Sequence, residues 1–174
     1  MTLRTRSAPP APLYTPEQRR RRDGSSWTVV QGVLAPLQFA VCLLSLVLVV
    51  RFLSTGAGWE AASTSVLLKV AALYAIMVTG ACWEKAVFGV WLFAPAFFWE
   101  DLFSFAVIGL HTAYVAALWG GWLPHRALGL LALAAYAAYA VNATQFVLKL
   151  RAARRDSAPH AAALPALAVP DGAR

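Results

Sequence analysis

Glu84, Glu100, Asp101 and His111 fall inside or at the edges of long apolar runs, together with Lys69 and Lys85. An ionisable group in lipid is costly and turns toward a bundle interior, so these side chains are where chemistry is to be sought. A carboxylic acid buried without a counter-charge stays protonated near neutral pH and can donate, while a nearby histidine or second carboxylate can hold water as a base. Other chemistries fail by counting. A bis-histidine haem needs two intramembrane histidines, but His125 lies in a turn and His160 in a tail, which leaves His111 alone. No paired Glu-x-x-His elements suggest a di-iron bundle, and there is no phosphate loop, CxxC or nucleophile elbow. The remaining equipment fits acid–base chemistry on a lipophilic substrate, with no cofactor of its own.

The elements that must position these groups are transmembrane helices. Of 174 residues, 60% are hydrophobic and 13% charged, against roughly 45–50% and about 25% in soluble domains. Four apolar stretches, 29–53, 61–83, 98–119 and 127–148, each reach the ~20 residues that cross ~30 Å of hydrocarbon. They are too long for barrel strands, and backbone groups in lipid must be satisfied within the segment. The expected fold is all-α: a polytopic membrane protein with four transmembrane helices in an antiparallel bundle. The membrane domain covers 14–155, and 1–13 and 156–174 are expected to be disordered tails. Thr15-Pro16-Glu17-Gln18 has the pattern of a capping box with proline at the first helical position, predicting a short interfacial helix over 16–23. Pro36 is expected to kink the first span.

The net charge of +7 sits beside the membrane rather than on a nucleic-acid face. Arg19 to Arg22 precede the first span and Lys149, Arg151, Arg154 and Arg155 follow the fourth, so both ends are expected in the cytoplasm of a bacterial inner membrane. Arg51 dissents at the outer end of the first span and is expected to snorkel. Cys42 and Cys82 differ in depth by ~15 Å, which excludes a disulfide between them.

Helical spacing gives every span a polar stripe. Glu100, Ser104 and His111 fall within roughly 40° of one another, with Asp101 about 100° away. Gln31, Gln38, Cys42 and Ser45 line the first span, Ser65, Lys69, Gly80 and Glu84 the second, and Tyr139, Asn142, Gln145 and Lys149 the fourth. Depth arithmetic places Lys69 and His111 together at ~12 Å from the outer boundary, Gln38, Ser104 and Asn142 at ~22 Å, and the carboxylates at the cytoplasmic surface. Four stripes predict one shared interior cavity. Plainer roles compete: interfacial salt bridges for Glu84, Lys85, Glu100 and Asp101, packing for His111, snorkelling for Lys69, and interhelical hydrogen bonds for Gln38, Asn142 and Gln145. The connection from Glu84 to Trp99, with Phe88, Trp91, Phe93, Phe97, Phe98 and Trp99, is either an ordinary aromatic belt or a seat for a flat conjugated ligand.

Tyr14 to Glu17, WTVVQGVLAPLQF from Trp27, YAIMVTG from Tyr74, Trp83-Glu84-Lys85, LFAPAFFWED from Leu92, LHTAY from Leu110 and NATQFVLKLR from Asn142 together resemble the vinyl bacteriochlorophyllide hydratase family of bacteriochlorophyll synthesis. The likeness covers about 14–155, and LFAPAFFWED and LHTAY are its most specific part. It implies addition of water to the 3-vinyl group of a chlorophyllide or bacteriochlorophyllide, giving a 3-(1-hydroxyethyl) product. With that substrate, Glu100 or Glu84 is the candidate proton donor and Asp101 or His111 the candidate for orienting water. Lys85, Phe93, Phe97, Phe98 and Trp99 are candidate binding residues on the aromatic connection, and Gln38, Ser104, Asn142 and Gln145 on the polar stripes. Glu100 and His111 stand ~16 Å apart along one helix, too far to act on one vinyl group together, so His111 could instead ligate the magnesium of the pigment. The alternative reading is a non-catalytic tetrapyrrole carrier or assembly factor; a third is a small proton-coupled transporter using Lys69 and Glu100. Partners left open are a homo-oligomer with pigment between protomers and other pigment-synthesis enzymes.

Overall fold

The computed structural model describes residues 13–163, and their side chains as far as 152. Among them are five helices and no strand: α1 (Pro16–Gly24), α2 (Ser26–Thr55), α3 (Trp59–Phe88), α4 (Phe98–Gly120) and α5 (His125–Ala163). The last four are long and apolar enough to cross a membrane, so the protein is the all-α, four-helix membrane protein expected. The tail expected from 156 onward begins inside α5, which continues to Ala163. Residues 1–12 and 164–174, expected to be tails, lie outside the described residues.

Local sequence sets each helix boundary. Thr15 accepts the Gln18 N–H at 3.2 Å while Gln18 Oε1 accepts the Thr15 N–H at 2.9 Å, closing the capping box that starts α1. Ser25 ends α1 and caps α2, accepting the Trp27 N–H. Gly56, Gly89 and Gly121 stop α2, α3 and α4 in the left-handed conformation, which a residue without Cβ adopts freely. α2 and α3 have 30 residues each, about 45 Å of helix, so both overrun the hydrocarbon and end beyond the expected spans. α2 passes through Pro36 as one helix, with the proline ring on its exposed side.

The helices pack as two antiparallel hairpins, α2 with α3 and α4 with α5, joined mainly through α2 and α5, whereas α3 and α4 touch sparsely. One apolar core lies toward the 56–58 and 121–124 turns, where Val49, Phe52, Val66, Tyr114 and Leu128 pack around Ala62, Ala117 and Ala132. Alanines at these contacts let backbones approach closely. A smaller cluster at the opposite, α1 end joins Tyr14, Val87 and Phe97 with Trp83, Phe88 and Phe146. Outside, Val29, Val47, Val78 and Leu130 are 60–69% exposed, a surface that suits lipid and not water.

Candidate active site

The site is built on the segment between Gly89 and Phe98. Phe93 adopts φ 59°, a left-handed backbone rare for a bulky side chain and costing on the order of 1–3 kcal/mol. Two hydrogen bonds hold it: the Phe93 N–H donates to Asp101 Oδ2 at 2.7 Å and the Ala94 N–H donates to Glu84 Oε2 at 3.0 Å. Successive N–H groups thus turn inward as a nest for anionic oxygen. The Phe97 N–H closes a turn onto the Ala94 carbonyl at 2.7 Å, and α4 starts with the Asp101 N–H on the Phe97 carbonyl. Asp101 therefore lies in the first turn of α4, where the helix dipole favours negative charge. Glu84, one turn from the end of α3, lies within hydrogen-bonding reach of Asp101. Both are buried, at 5% and 4% exposure.

Glu100 belongs to a neighbouring pair. Its carboxylate meets Lys149 of α5 at 2.5 Å, and Lys149 Nζ also lies 5.0 Å from the centre of the Phe97 ring. One turn inward, the Ser104 hydroxyl donates to the Glu100 carbonyl and accepts from Asn142 Nδ2 at 2.8 Å, the depth match expected between those two residues. The three carboxylates converge as expected, and Asp101, set apart by the angular reading, is buried with them.

His111 does not join them. It is ten residues from Asp101, about 15 Å along α4, and fully buried, with Nδ1 on the Val107 carbonyl at 2.8 Å and its ring beside Tyr136. Lys69 is also fully buried, its Nζ 3.9 Å from the centre of the Tyr139 ring, so it faces inward. Lys85 is exposed, with Nζ on the Gly89 carbonyl that caps α3. Gln38 is buried, and Gln145 half-buried one turn from Asn142.

The aromatic connection divides in two. Phe97 is buried in the cluster with Tyr14, Trp83, Phe88 and Phe146 and anchors the segment. Phe93, Phe98 and Trp99 are 39–64% exposed, and Phe105, which the sequence reading passed over, stacks on Phe93 at 5.5 Å with planes 8° apart. The available signal was its spacing of seven from Phe98, which sets both rings on one helical face. At 100° per residue, Phe98 and Phe105 lie within about 60° of Asp101 around α4. Asp101 and Thr112 mark the side turned to α3, through Glu84 and through Tyr74 Oη at 2.7 Å. An exposed aromatic plate therefore flanks the sparsely packed α3–α4 seam, with the Glu84–Asp101 pair directly behind it.

The shared interior cavity expected from the four stripes is not among the two concavities that stand out in the described residues. The polar stripes meet and bond one another instead: Gln31 Nε2 to Thr79 Oγ1 at 2.7 Å, Ser45 Oγ to Ser65 Oγ and Tyr136 Oη at 2.7 and 2.6 Å, and Asn142 to Ser104. These two concavities lie away from the carboxyl groups, one along Ser26, Val29, Val30, Val33 and Leu34 and one at the Gly121–Leu128 turn.

Fold and site define a class: a polytopic membrane protein with a buried carboxyl pair at one end, set behind an aromatic surface suited to a flat apolar molecule. Residues 14–152 match the family described as 2-vinyl bacteriochlorophyllide hydratase (BCHF). The chain is 61% identical over 150 residues to the 2-vinyl bacteriochlorophyllide hydratase of Cereibacter sphaeroides, covering 86% of this chain and 93% of that protein. It is 61% identical over 146 residues to the protein of the same name from Rhodobacter capsulatus, covering 84% and 85%. No solved structure matches it. The chain belongs to the 2-vinyl bacteriochlorophyllide hydratase family.

Proposed function

We propose that the protein hydrates the 3-vinyl group of a bacteriochlorophyllide-type pigment, the 2-vinyl group of the family's name, to a 3-(1-hydroxyethyl) group, and that Glu84 and Asp101 supply the acid and the base. The observation that carries this is the buried carboxyl pair lying behind an exposed aromatic plate, and family membership supports it. Two carboxyl groups within hydrogen-bonding reach can hold one proton between them, because ionised carboxylates only accept. The α4 N-terminus favours charge on Asp101, which suits Asp101 to the base's role and Glu84 to the acid's.

The macrocycle lies on Phe93, Phe98 and Phe105 with its vinyl edge at the α3–α4 seam. Glu84 donates to the terminal vinyl carbon. The cation left on the inner carbon is delocalised into the conjugated ring, which is why water adds there. Asp101 orients that water and takes its proton, and transfer from Asp101 back to Glu84 closes the cycle. Glu100, matched by Lys149, is structural in this reading. The reaction as written uses no cofactor; the magnesium belongs to the substrate, and fully buried His111 is not its ligand in this reading. The plate covers one face of the pigment, leaving the other to lipid or a second copy of the chain. Arg19 to Arg22, Lys85, Lys149 and Arg151 share the site's end of the bundle, so this end faces the cytoplasm of the inner membrane and both termini lie there.

Purified protein in lipid nanodiscs, given a 3-vinyl bacteriochlorophyllide, should shift the red absorption band to the blue as the vinyl group leaves conjugation. In D2O the product's new methyl group should carry one deuterium. Binding without a shift would make the protein a carrier.

A further inference from the structure

Five polar atoms in the middle of the bundle are buried without a hydrogen-bonding partner among the described residues: Gln38 Nε2, Lys69 Nζ, His111 Nε2, Asn142 Oδ1 and Gln145 Oε1. Lys69 and His111 are fully buried, Gln38 is 3% exposed and Asn142 8%. Such atoms are rare in folded proteins, and each bears an uncompensated loss of hydration. They are not scattered. Tyr139, Asn142, Gln145 and Lys149 recur every three or four residues on one face of α5, each about 4.5–6 Å beyond the last. Lys69 stands against the first of them, His111 is within electrostatic reach of Lys69, and Lys149 ends the row on Glu100.

The five atoms are chemically mixed. Lys69 and Gln38 present donors, while Asn142 and Gln145 present carbonyl oxygens. His111 Nε2 is an acceptor, because the Val107 carbonyl on Nδ1 requires the ring hydrogen there. No single ion satisfies donors and acceptors together, and the groups do not reach one another directly. Water, which donates and accepts, does both.

We propose that the bundle core binds a column of water molecules from Lys69 and His111 along the inner face of α5 to Ser104 and the Glu100–Lys149 pair, and that this column supplies water to Asp101. Its use in supply rests on the hydratase reading; its existence does not. The lipid side of the plate offers little water, whereas the reaction consumes one molecule per turnover. Ser104 lies three residues from Asp101 on α4, so the column ends beside the group that would orient the attacking molecule.

X-ray hydroxyl-radical footprinting on the full chain in nanodiscs tests this, because radicals formed from bound water oxidise the side chains they touch. Half-buried Tyr139 should be oxidised at least fivefold more than Tyr114, which is buried in the apolar core, and also more than Tyr74, which is more exposed than Tyr139, so that exposure alone does not account for it. Lys69→Leu and Asn142→Leu should each lower Tyr139 oxidation at least fivefold and slow hydration at least tenfold, with pigment binding unchanged. Tyr139 as unreactive as Tyr114 in the wild-type protein overturns the column, whether or not either variant folds. Unchanged turnover in folded variants overturns its role in supply. Oxidation of Tyr139 in a wild-type protein that never hydrates pigment keeps the column and removes the hydratase reading; turnover with an unreactive Tyr139 does the reverse.

Discussion

Phe93 does two things that pull against each other. Its ring belongs to the exposed plate, yet its backbone takes a left-handed turn that a phenylalanine resists, held there by the carboxyl groups of Asp101 and Glu84. Glycine adopts the same backbone freely, so Phe93→Gly should keep the nest and remove the ring. One aromatic contact contributes about 0.5–1.5 kcal/mol, so KM for pigment should rise roughly 3- to 10-fold with kcat little changed, as measured by initial rates over a pigment series. Glu100 makes the contrasting case. Removing its partner in Lys149→Met strands a largely buried carboxylate and should cost about 3 kcal/mol, read from denaturant unfolding in detergent, whereas the double change Glu100→Leu with Lys149→Met should recover most of that loss. The gathering of Glu84, Glu100 and Asp101 was legible in the sequence because antiparallel spans bring their ends to one depth. The nest was not, since nothing in LFAPAFFWED marks Phe93 rather than a glycine as the left-handed residue.

At the scale of elements, the spans could be read because twenty apolar residues have few other uses, and the α1 capping box because its side chains act only on neighbours. What escaped was angular. A stripe of Gln, Ser and Asn looks the same whether it lines a chamber or bonds the next helix, and here Gln31, Ser45 and Asn142 each bond a neighbouring helix while Gln38 and Gln145 keep unpartnered atoms. The capping box yields its own expectation. Thr15→Ala should cost α1 about 1 kcal/mol, so trypsin should cut at Arg19 to Arg22 roughly fivefold faster while the helical circular-dichroism signal is retained. Tyr14 ties this element to the site, since it is buried with Phe88 and Phe97 and lies under Arg22. Loosening α1 should therefore loosen the segment that carries the nest.

For the whole molecule, the carboxyl pair lies at the end where basic residues collect, and the proposed seat for the pigment is a seam open to lipid rather than an enclosed chamber. In a chain lacking Cys42 and Cys82, single cysteines at Gly24 and Ala57 should react with an impermeant thiol reagent from opposite sides of the membrane, Gly24→Cys from the cytoplasmic side. The reverse pattern would invert the orientation. The central claim, that the Glu84–Asp101 pair moves the proton, is tested most directly by single-turnover absorption of pigment-loaded Glu84→Gln and Asp101→Asn. Each should bind the 3-vinyl pigment and slow the blue shift of its red band by roughly 100-fold or more, with Glu100→Gln remaining active. A wild-type rate of shift in both variants of the pair would contradict it.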